Sequence, residues 1–255
     1  MLEKLRTSII SEAVTRGLDP DVEMKDSGVE WLGRIPKHWN LWKIKHVVEF
    51  VTSGSRGWAR YYSEEGALFV RITNLQRNSI ELNFSKPQRV RPPKGAEGKR
   101  TILQSGDVLV SITADIGSIG IVPSGIGEAY VNQHTALVRP AMDVIVPRWL
   151  AYSLFSEAGK TQFSMLLQGG TKEGLELNDV RNLIIPLPPR KEQKKIVIHL
   201  DEKINVIDKT VDQLQNQINK MQSYRTSLIS EAVTGKIDVR NFKPDAPDNL
   251  LTQTE

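Results

Sequence analysis

The stretch INVIDKTVDQLQNQINKMQSYRTSLISEAV, residues 204–233, decides how the chain is organised. Apolar residues stand at Ile204, Ile207, Val211, Leu214, Ile218, Met221 and Leu228 in steps alternating three and four, and only Arg225 breaks the series. That spacing is the seam of a coiled coil, with Lys, Asp, Gln and Asn on the other positions. No Gly or Pro interrupts the chain from Glu192 to Val233, so one long helix is expected over about 190–235. Pro186, Pro188 and Pro189 stop the preceding strand, and Glu192 favours the first helical turn. At about 1.5 Å per residue, such a helix measures roughly 60 Å. Its apolar stripe needs a cover, either the first segment of the chain with its own domain or another chain.

The end of this helix has a twin near the start. Arg225-Thr226-Ser227-Leu228-Ile229-Ser230-Glu231-Ala232-Val233-Thr234 repeats Arg6-Thr7-Ser8-Ile9-Ile10-Ser11-Glu12-Ala13-Val14-Thr15 with one change, Ile9 against Leu228. Leu18-Asp19 and Ile237-Asp238 follow at the same separation. Two readings stay open: a stray duplicated helix end, or one period of a larger cyclic repeat with the tail of the period before it. Residues 1–19 then form a short helix copying the spacer end, and residues 236–255 a tail that frays after Arg240.

Between the helical pieces, residues 20–189 read as one mixed domain. Val47–Val51, Leu68–Ile72, Asp107–Ile112, Ile119–Val122, Ala136–Val138 and Leu183–Pro186 are apolar runs separated by Gly-, Ser- and Pro-rich turns, hence short strands. Pro147 to Leu167 reads as one amphipathic helix entered through Pro147. The fold class is α+β, with short, largely antiparallel strands, a long coiled-coil helix and a short N-terminal helix.

Composition narrows the function. Of 255 residues 39% are hydrophobic and 25% charged, ordinary values for a globular chain. No apolar run approaches the roughly 20 residues of a membrane span, and Glu3, Lys4 and Arg6 stand where a signal peptide keeps its apolar stretch. With no cysteine there is neither a disulfide nor a thiolate metal site, and a cytoplasmic location is expected. The net charge is only +4, but its distribution matters more. Arg56, Arg60, Arg71, Arg77, Lys86, Arg89, Arg91, Lys94, Lys99 and Arg100 crowd the middle of the chain among few acids.

A search for catalytic strings finds none that holds. Ala158-Gly159-Lys160-Thr161 resembles the end of a phosphate-cradling loop, yet Leu154 stands where the first Gly belongs and the string lies within a helix. The pairs Pro92-Pro93 and Pro188-Pro189 lack the Asn or Asp and the aromatic of a base-methylating turn. His38, His46, His134 and His199 are scattered, without metal-ligand spacing. Asp107, Asp115 and Glu128 are the acids a nuclease would use, but Ser105-Gly106-Asp107 reads as a turn leading into a strand. The expectation is a non-enzymatic chain without a metal or cofactor of its own.

A binding surface remains. Arg56-Gly57-Trp58-Ala59-Arg60-Tyr61-Tyr62 mixes guanidinium groups with flat rings, and Arg71 and Arg77 add cations. Arg grips guanine O6 and N7, while Asn or Gln grips adenine N6 and N7, so Asn74, Gln76, Asn132 and Gln133, with His134, are candidate base readers. Gly169, Gly170, Thr171 and Lys172 offer backbone amides and a cation to a phosphate. Each has a plainer alternative: Trp58 and Tyr62 as packing aromatics, Arg71 as an ion-pair partner, Asn132–His134 as a satisfied turn, and the run from Lys86 to Arg100 as a solvated loop.

Several segments resemble landmarks of the specificity subunits of Type I restriction–modification systems. Lys25-Asp26-Ser27-Gly28-Val29-Glu30-Trp31-Leu32-Gly33-Arg34-Ile35-Pro36-Lys37-His38-Trp39 is similar to the entry of a target recognition domain. Gly106–Ser111, Val131–His134 and Pro186–Gln193 resemble later parts of it, and Ser227–Asp238 the end of the helical spacer. The resemblance implies two recognition domains separated by antiparallel helices, each reading half of a split DNA target. It also implies partners: double-stranded DNA, modification subunits that methylate adenine with S-adenosylmethionine, and, through them, restriction subunits that use ATP. This chain departs from that plan in holding one recognition domain, which leaves three readings open: a half-subunit that pairs as a homodimer through its long helix, a truncated full-length subunit, or a split subunit paired with a different half. The rival readings are a nuclease or methyltransferase with an unrecognised site, and a coiled-coil adaptor without a DNA role.

Overall fold

The computed structural model describes residues 2–54, 56–92, 96–168 and 174–240. In chain order these form α1 (Leu2–Arg16), β1 (Met24–Asp26), β2 (Arg34–Pro36), β3 (Asn40–Lys43), β4 (Val48–Ser53), β5 (Tyr62–Ser63), β6 (Ala67–Val70) and β7 (Arg89–Val90). Then come α2 (Ala96–Thr101), β8 (Val108–Ser111), β9 (Ile119–Ile121), β10 (Ala129–Val131), β11 (Thr135–Pro140), α3 (Pro147–Phe155), α4 (Glu157–Gln168), α5 (Leu177–Asn182), β12 (Ile184–Leu187) and α6 (Arg190–Val233). The chain divides between Asn205 and Val206 into two compact units.

The first unit is layered, and its apolar strings show why. One sheet has the order β4-β11-β8-β9 and a second the order β10-β6-β7-β5. Side chains alternate across a strand, and a strand covered on both faces reads as a continuous apolar run. Val108 and Val110 accordingly join the core beneath α1, α3 and α4, whereas Leu109 between them joins the core that separates the two sheets. Ala136 and Val138 divide from Leu137 in the same way. On the second sheet Val70, Ala129 and Val131 face inward, while Ala67, Phe69 and Tyr130 face a third, aromatic cluster around Trp58. Strand pairing is antiparallel throughout except for β10 with β6, which is parallel.

Two features depart from expectation. The segment from Pro147 to Leu167 is two helices, because Ser156 turns the chain out of helical geometry and its hydroxyl, donating to Ser153 O, accepts from Gly159 N at 3.2 Å. Gly159 is required at this corner, where a Cβ would lie 2.1 Å from Leu154 O. The phosphate-loop-like string is therefore a helix–helix joint. The hairpin β1–β2, the short strands β3, β5, β7 and β10, and the helices α2 and α5 carry too few residues to be read from periodicity.

The motif Pro186–Gln193 fastens the start of α6. Gln193, buried, accepts from Val146 N at 2.8 Å and donates to Pro188 O at 2.9 Å. Glu192 does more than favour a helix start: it accepts from Trp39 Nε1 at 3.1 Å and meets His38 Nε2 at 2.8 Å. Further along, Asp201 takes Arg148 and the Tyr152 hydroxyl, at 2.9 and 2.5 Å. Ile196, Val197 and Leu200 complete the hydrophobic core.

In the second unit α6 continues to Val233 and closes through Gly235, at φ 71°. Of the proposed seam, Val211, Leu214, Ile218, Met221 and Leu228 are exposed. Ile207 is buried and Ile204 packs on the core of the first unit, so the open seam begins at Val211. No helix among the described residues is long and apolar enough to cross a membrane.

Candidate nucleic-acid interface

Strand direction gathers the candidate residues at one edge of the first unit. Ser53, at the end of β4, pairs with Ala136 near the start of β11, and Ser111, at the end of β8, pairs with Thr135. β6 and β10 run parallel, so they end together at Val70 and Val131. The connections that follow β4, β6, β8 and β10 therefore meet. Gly54 N donates to Asn132 O at 3.1 Å, Asn132 N to Val70 O at 3.0 Å, and Ile112 N to His134 O at 3.1 Å. Only glycine allows the first of these approaches, since a Cβ at Gly54 would lie 2.1 Å from Val131 O.

Arg56, Arg60 and Tyr62 are exposed on the segment leaving Gly54, and the Arg60 guanidinium lies 4.9 Å from the Tyr61 ring centre. Trp58 anchors that segment. It is 2% exposed, stacked on Phe69 at 5.4 Å and against Tyr130 at 5.1 Å. The structure thus corrects Trp58 as a base-stacking residue: its faces are spent on the aromatic core, and it positions the arginines beside it. Tyr62, tilted against Phe69, keeps an exposed ring.

Asn74 is corrected in the same way. Buried, it accepts from Arg71 N through Oδ1 and donates to Asn83 O through Nδ2, both at 2.8 Å, so both amide edges hold backbone. Arg71 is half-buried beside it and reaches Lys86 O. Asn132 is buried, whereas Gln133 is half-buried and His134 exposed. The two His134 ring nitrogens lie 2.8 Å from Gln133 Nε2 and 3.0 Å from Thr113 Oγ1. Gln76 donates to Glu81 O at 2.9 Å. Gly169, Gly170, Thr171 and Lys172 lie outside the described residues. Beyond them, Leu175 N donates to Ile112 O at 2.7 Å, which brings the chain back to this same edge.

The loop after β8 adds a feature that the sequence did not announce. Asp115 takes a left-handed backbone at φ 53°, ion-paired with Arg77 and accepting from Ser118 Oγ at 2.8 Å. Partial burial pushes its carboxyl up, but the bonds from Ser118 and Arg77 and the Arg77 charge outweigh this and hold it below the usual range.

The three acids weighed as a nuclease set are committed separately. Asp107 is buried and paired with Arg139, Asp115 with Arg77, and Glu128 accepts from the Tyr130 hydroxyl at 2.6 Å. Among the described residues no group of three or more His, Cys, Asp or Glu stands close enough to hold a metal ion. Of the cations between Lys86 and Arg100, Lys94 lies outside the described residues and the others are exposed, though not all on a loop. Arg89 lies in β7 and donates to Gly66 O at 2.8 Å, and Lys99 and Arg100 lie in α2.

Residues 36–220 match the family model described as the Type I restriction modification DNA specificity domain. The chain belongs to this family. The specificity-domain chain is 23% identical over 254 residues to the Type I restriction enzyme EcoBI specificity subunit of Escherichia coli, covering 97% of this chain and 53% of that protein. It is 25% identical over 247 residues to the MjaVIII specificity subunit of Methanocaldococcus jannaschii, covering 95% and 56%. It therefore spans about half the length of the curated relatives it matches. In fold it is similar to a chain solved in a study of Type I R-M complex assembly and conformational transition, with a TM-score of 0.65 at 20% identity, covering 91% of this chain and 51% of the other. It also resembles the HsdS subunit of Thermoanaerobacter tengcongensis, with a TM-score of 0.56 at 20% identity, covering 92% and 51%.

Proposed function

We propose that this specificity-domain chain reads one half of a split DNA target and performs no chemistry on it. The observation that carries the reading is the convergence of four inter-strand connections at one edge, with His134 exposed and Gln133 half-buried there and Arg56 exposed on the segment leaving Gly54. Arg60 and Tyr62 are exposed further along that segment. Cations hold phosphates for register, and amide or guanidinium edges read bases. Gln76 and Arg77 are assigned to the same DNA contact, and Lys172, outside the described residues, is proposed from its sequence as a phosphate contact. Adenine methylation and ATP-driven restriction belong to modification and restriction subunits that this chain recruits, so it needs no cofactor of its own, and it works in the cytoplasm where the DNA is.

The exposed seam from Val211 to Leu228 supports pairing of two copies through the long helix. Identical halves related by a two-fold axis read two identical half-sites, and the helices set the distance between them. Light scattering on the purified chain, with and without a modification subunit, tests the pairing. A mass of two chains supports it. A chain that stays single in both cases removes the homodimer and leaves a chain that needs a different second half. Metal- or cofactor-dependent cleavage or methylation of DNA by the chain alone would instead favour an enzyme. Absence of DNA binding by the assembled complex would favour a plain helical adaptor.

A further inference from the structure

The repeated decapeptide occurs once covered and once bare. Its local structure is the same in both places. Thr15 Oγ1 donates to Ser11 O at 2.6 Å and Thr234 Oγ1 to Ser230 O at 2.7 Å, and each helix ends at a left-handed glycine, Gly17 at φ 79° and Gly235 at φ 71°. The first copy is seated on its domain. α1 lies against β2, α3 and α4, with Ile10 and Val14 each 1% exposed and Ala13 buried beside them. Arg6 donates to Asn78 O, and Ser11 Oγ caps α4 by accepting from Glu157 N at 2.9 Å. Every one of these five residues recurs in the second copy, as Arg225, Ile229, Ser230, Ala232 and Val233. There Ile229 is 53% and Val233 82% exposed. The stripe that reaches the seat is unchanged, although a solvated helix end has no use for Ile and Val in those places.

We propose that Arg225–Val233 is a second key to the seat that α1 fills, and that a second copy of this chain provides the seat. α1 leaves its groove on one chain, and the helix end of the other lies in its place, with Ser230 capping α4 and Ile229 and Val233 buried. The occupant is argued from identity: among the described residues, these five are accepted by the surface that β2, α3 and α4 form together with Asn78 of this same chain. Tethering gives α1 an effective concentration of order mM, so exchange grows as protein concentration rises or as the hold of α1 weakens. The proposal does not rest on DNA reading or on pairing along the seam.

The chain contains no cysteine, which makes the test direct. In the full chain carrying Glu157→Cys and Ser230→Cys, mild oxidation is expected to give a covalent dimer joined between positions 157 and 230. Its share should rise with protein concentration. Ile10→Ala, which loosens α1, is expected to raise that share by more than about tenfold at low concentration. Ala232→Glu, which spoils only the bare copy, should reduce it to the level of the single-cysteine chains. If Ile10→Ala does not fold, the parent pair with and without Ala232→Glu still decides. Absence of the 157–230 link, a link that Ala232→Glu leaves unchanged, or a link formed within one chain would each overturn the proposal.

Discussion

Arg139 grips Asp107 through two bonds of 2.8 Å, from Nε to Oδ1 and from Nη2 to Oδ2, with the carboxylate 1% and the guanidinium 11% exposed. Further bonds surround the pair. Arg139 Nη2 reaches Ile102 O at 3.1 Å, Asp107 Oδ2 accepts from Gln104 N at 2.7 Å, and the guanidinium stacks 4.6 Å from the Phe50 ring centre. The hydrogen bond and charge of Asp107 raise the Arg139 pKa further, against the opposing effect of burial. Replacing Asp107 by Ala leaves a buried cation alone and is expected to cost about 3–5 kcal/mol of stability. A urea unfolding series measures it. An unchanged midpoint would show that the pair is not structural.

Trp58 serves the aromatic core, so Trp58→Ala should lose about 3–5 kcal/mol while Trp58→Phe largely holds. If Trp58 stacked on a base instead, Trp58→Ala would weaken DNA binding in a protein whose melting temperature is unchanged. Melting and binding measured side by side on both variants separate the two roles.

Arg56 and Arg60 are exposed, and the proposed reading puts them on phosphates. Each changed to Ala is expected to weaken binding to all DNA sequences and to lower the slope of log affinity against log salt by about one. Lys172→Ala should behave alike. Gln133→Ala, at a proposed base-reading position, should instead cost roughly 1–3 kcal/mol on the cognate site only. Titrations at several salt concentrations on cognate and unrelated duplexes distinguish them, and an unchanged slope strikes a residue from the phosphate set.

Tyr130 gives a pH marker. Burial first, then its hydrogen bond to Glu128 and the Glu128 charge, push its phenol up to about 12. A phenol whose folded value exceeds its unfolded one favours the fold fully below the unfolded value, near 10. That contribution is lost as pH rises through about 12. Tyr152 is also held above the usual phenol range, first by burial and then by its bond to Asp201. Absorbance of phenolate should therefore show late-titrating tyrosines in the folded chain, of which Glu128→Gln shifts one, Tyr130, to lower pH. A tyrosine set titrating together at the ordinary value would contradict the Tyr130–Glu128 bond.

The sequence was most legible where periodicity runs long. The long helix was visible because no Gly or Pro breaks it, and runs such as Asp107–Ile112 and Ile119–Val122 were visible because β8 and β9 are buried on both faces. What stayed hidden depends on contacts across the chain. Arg139 and Asp107 are 32 residues apart, and nothing local marks either as the other's partner. The break at Ser156 was hidden because an apolar stripe continues through it. For the site, residue types were readable and their availability was not: Asn74 and Arg56 look equally suited to DNA, and only the fold commits Asn74 to backbone and leaves Arg56 exposed. The gathering of the loops follows from the parallel pairing of β6 with β10, a register that no turn signal encodes.

The central claim is sequence-selective reading of DNA by this domain, and selection from a random duplex library tests it most directly. The chain, assembled with a modification subunit, is offered the library at low and high salt, and the retained duplexes are sequenced. The account predicts enrichment of two identical, inverted half-sites separated by a fixed spacer of any sequence, with enrichment sharper at high salt, where phosphate-only binding fades. Retention that is salt-sensitive yet shows no enriched sequence would contradict it.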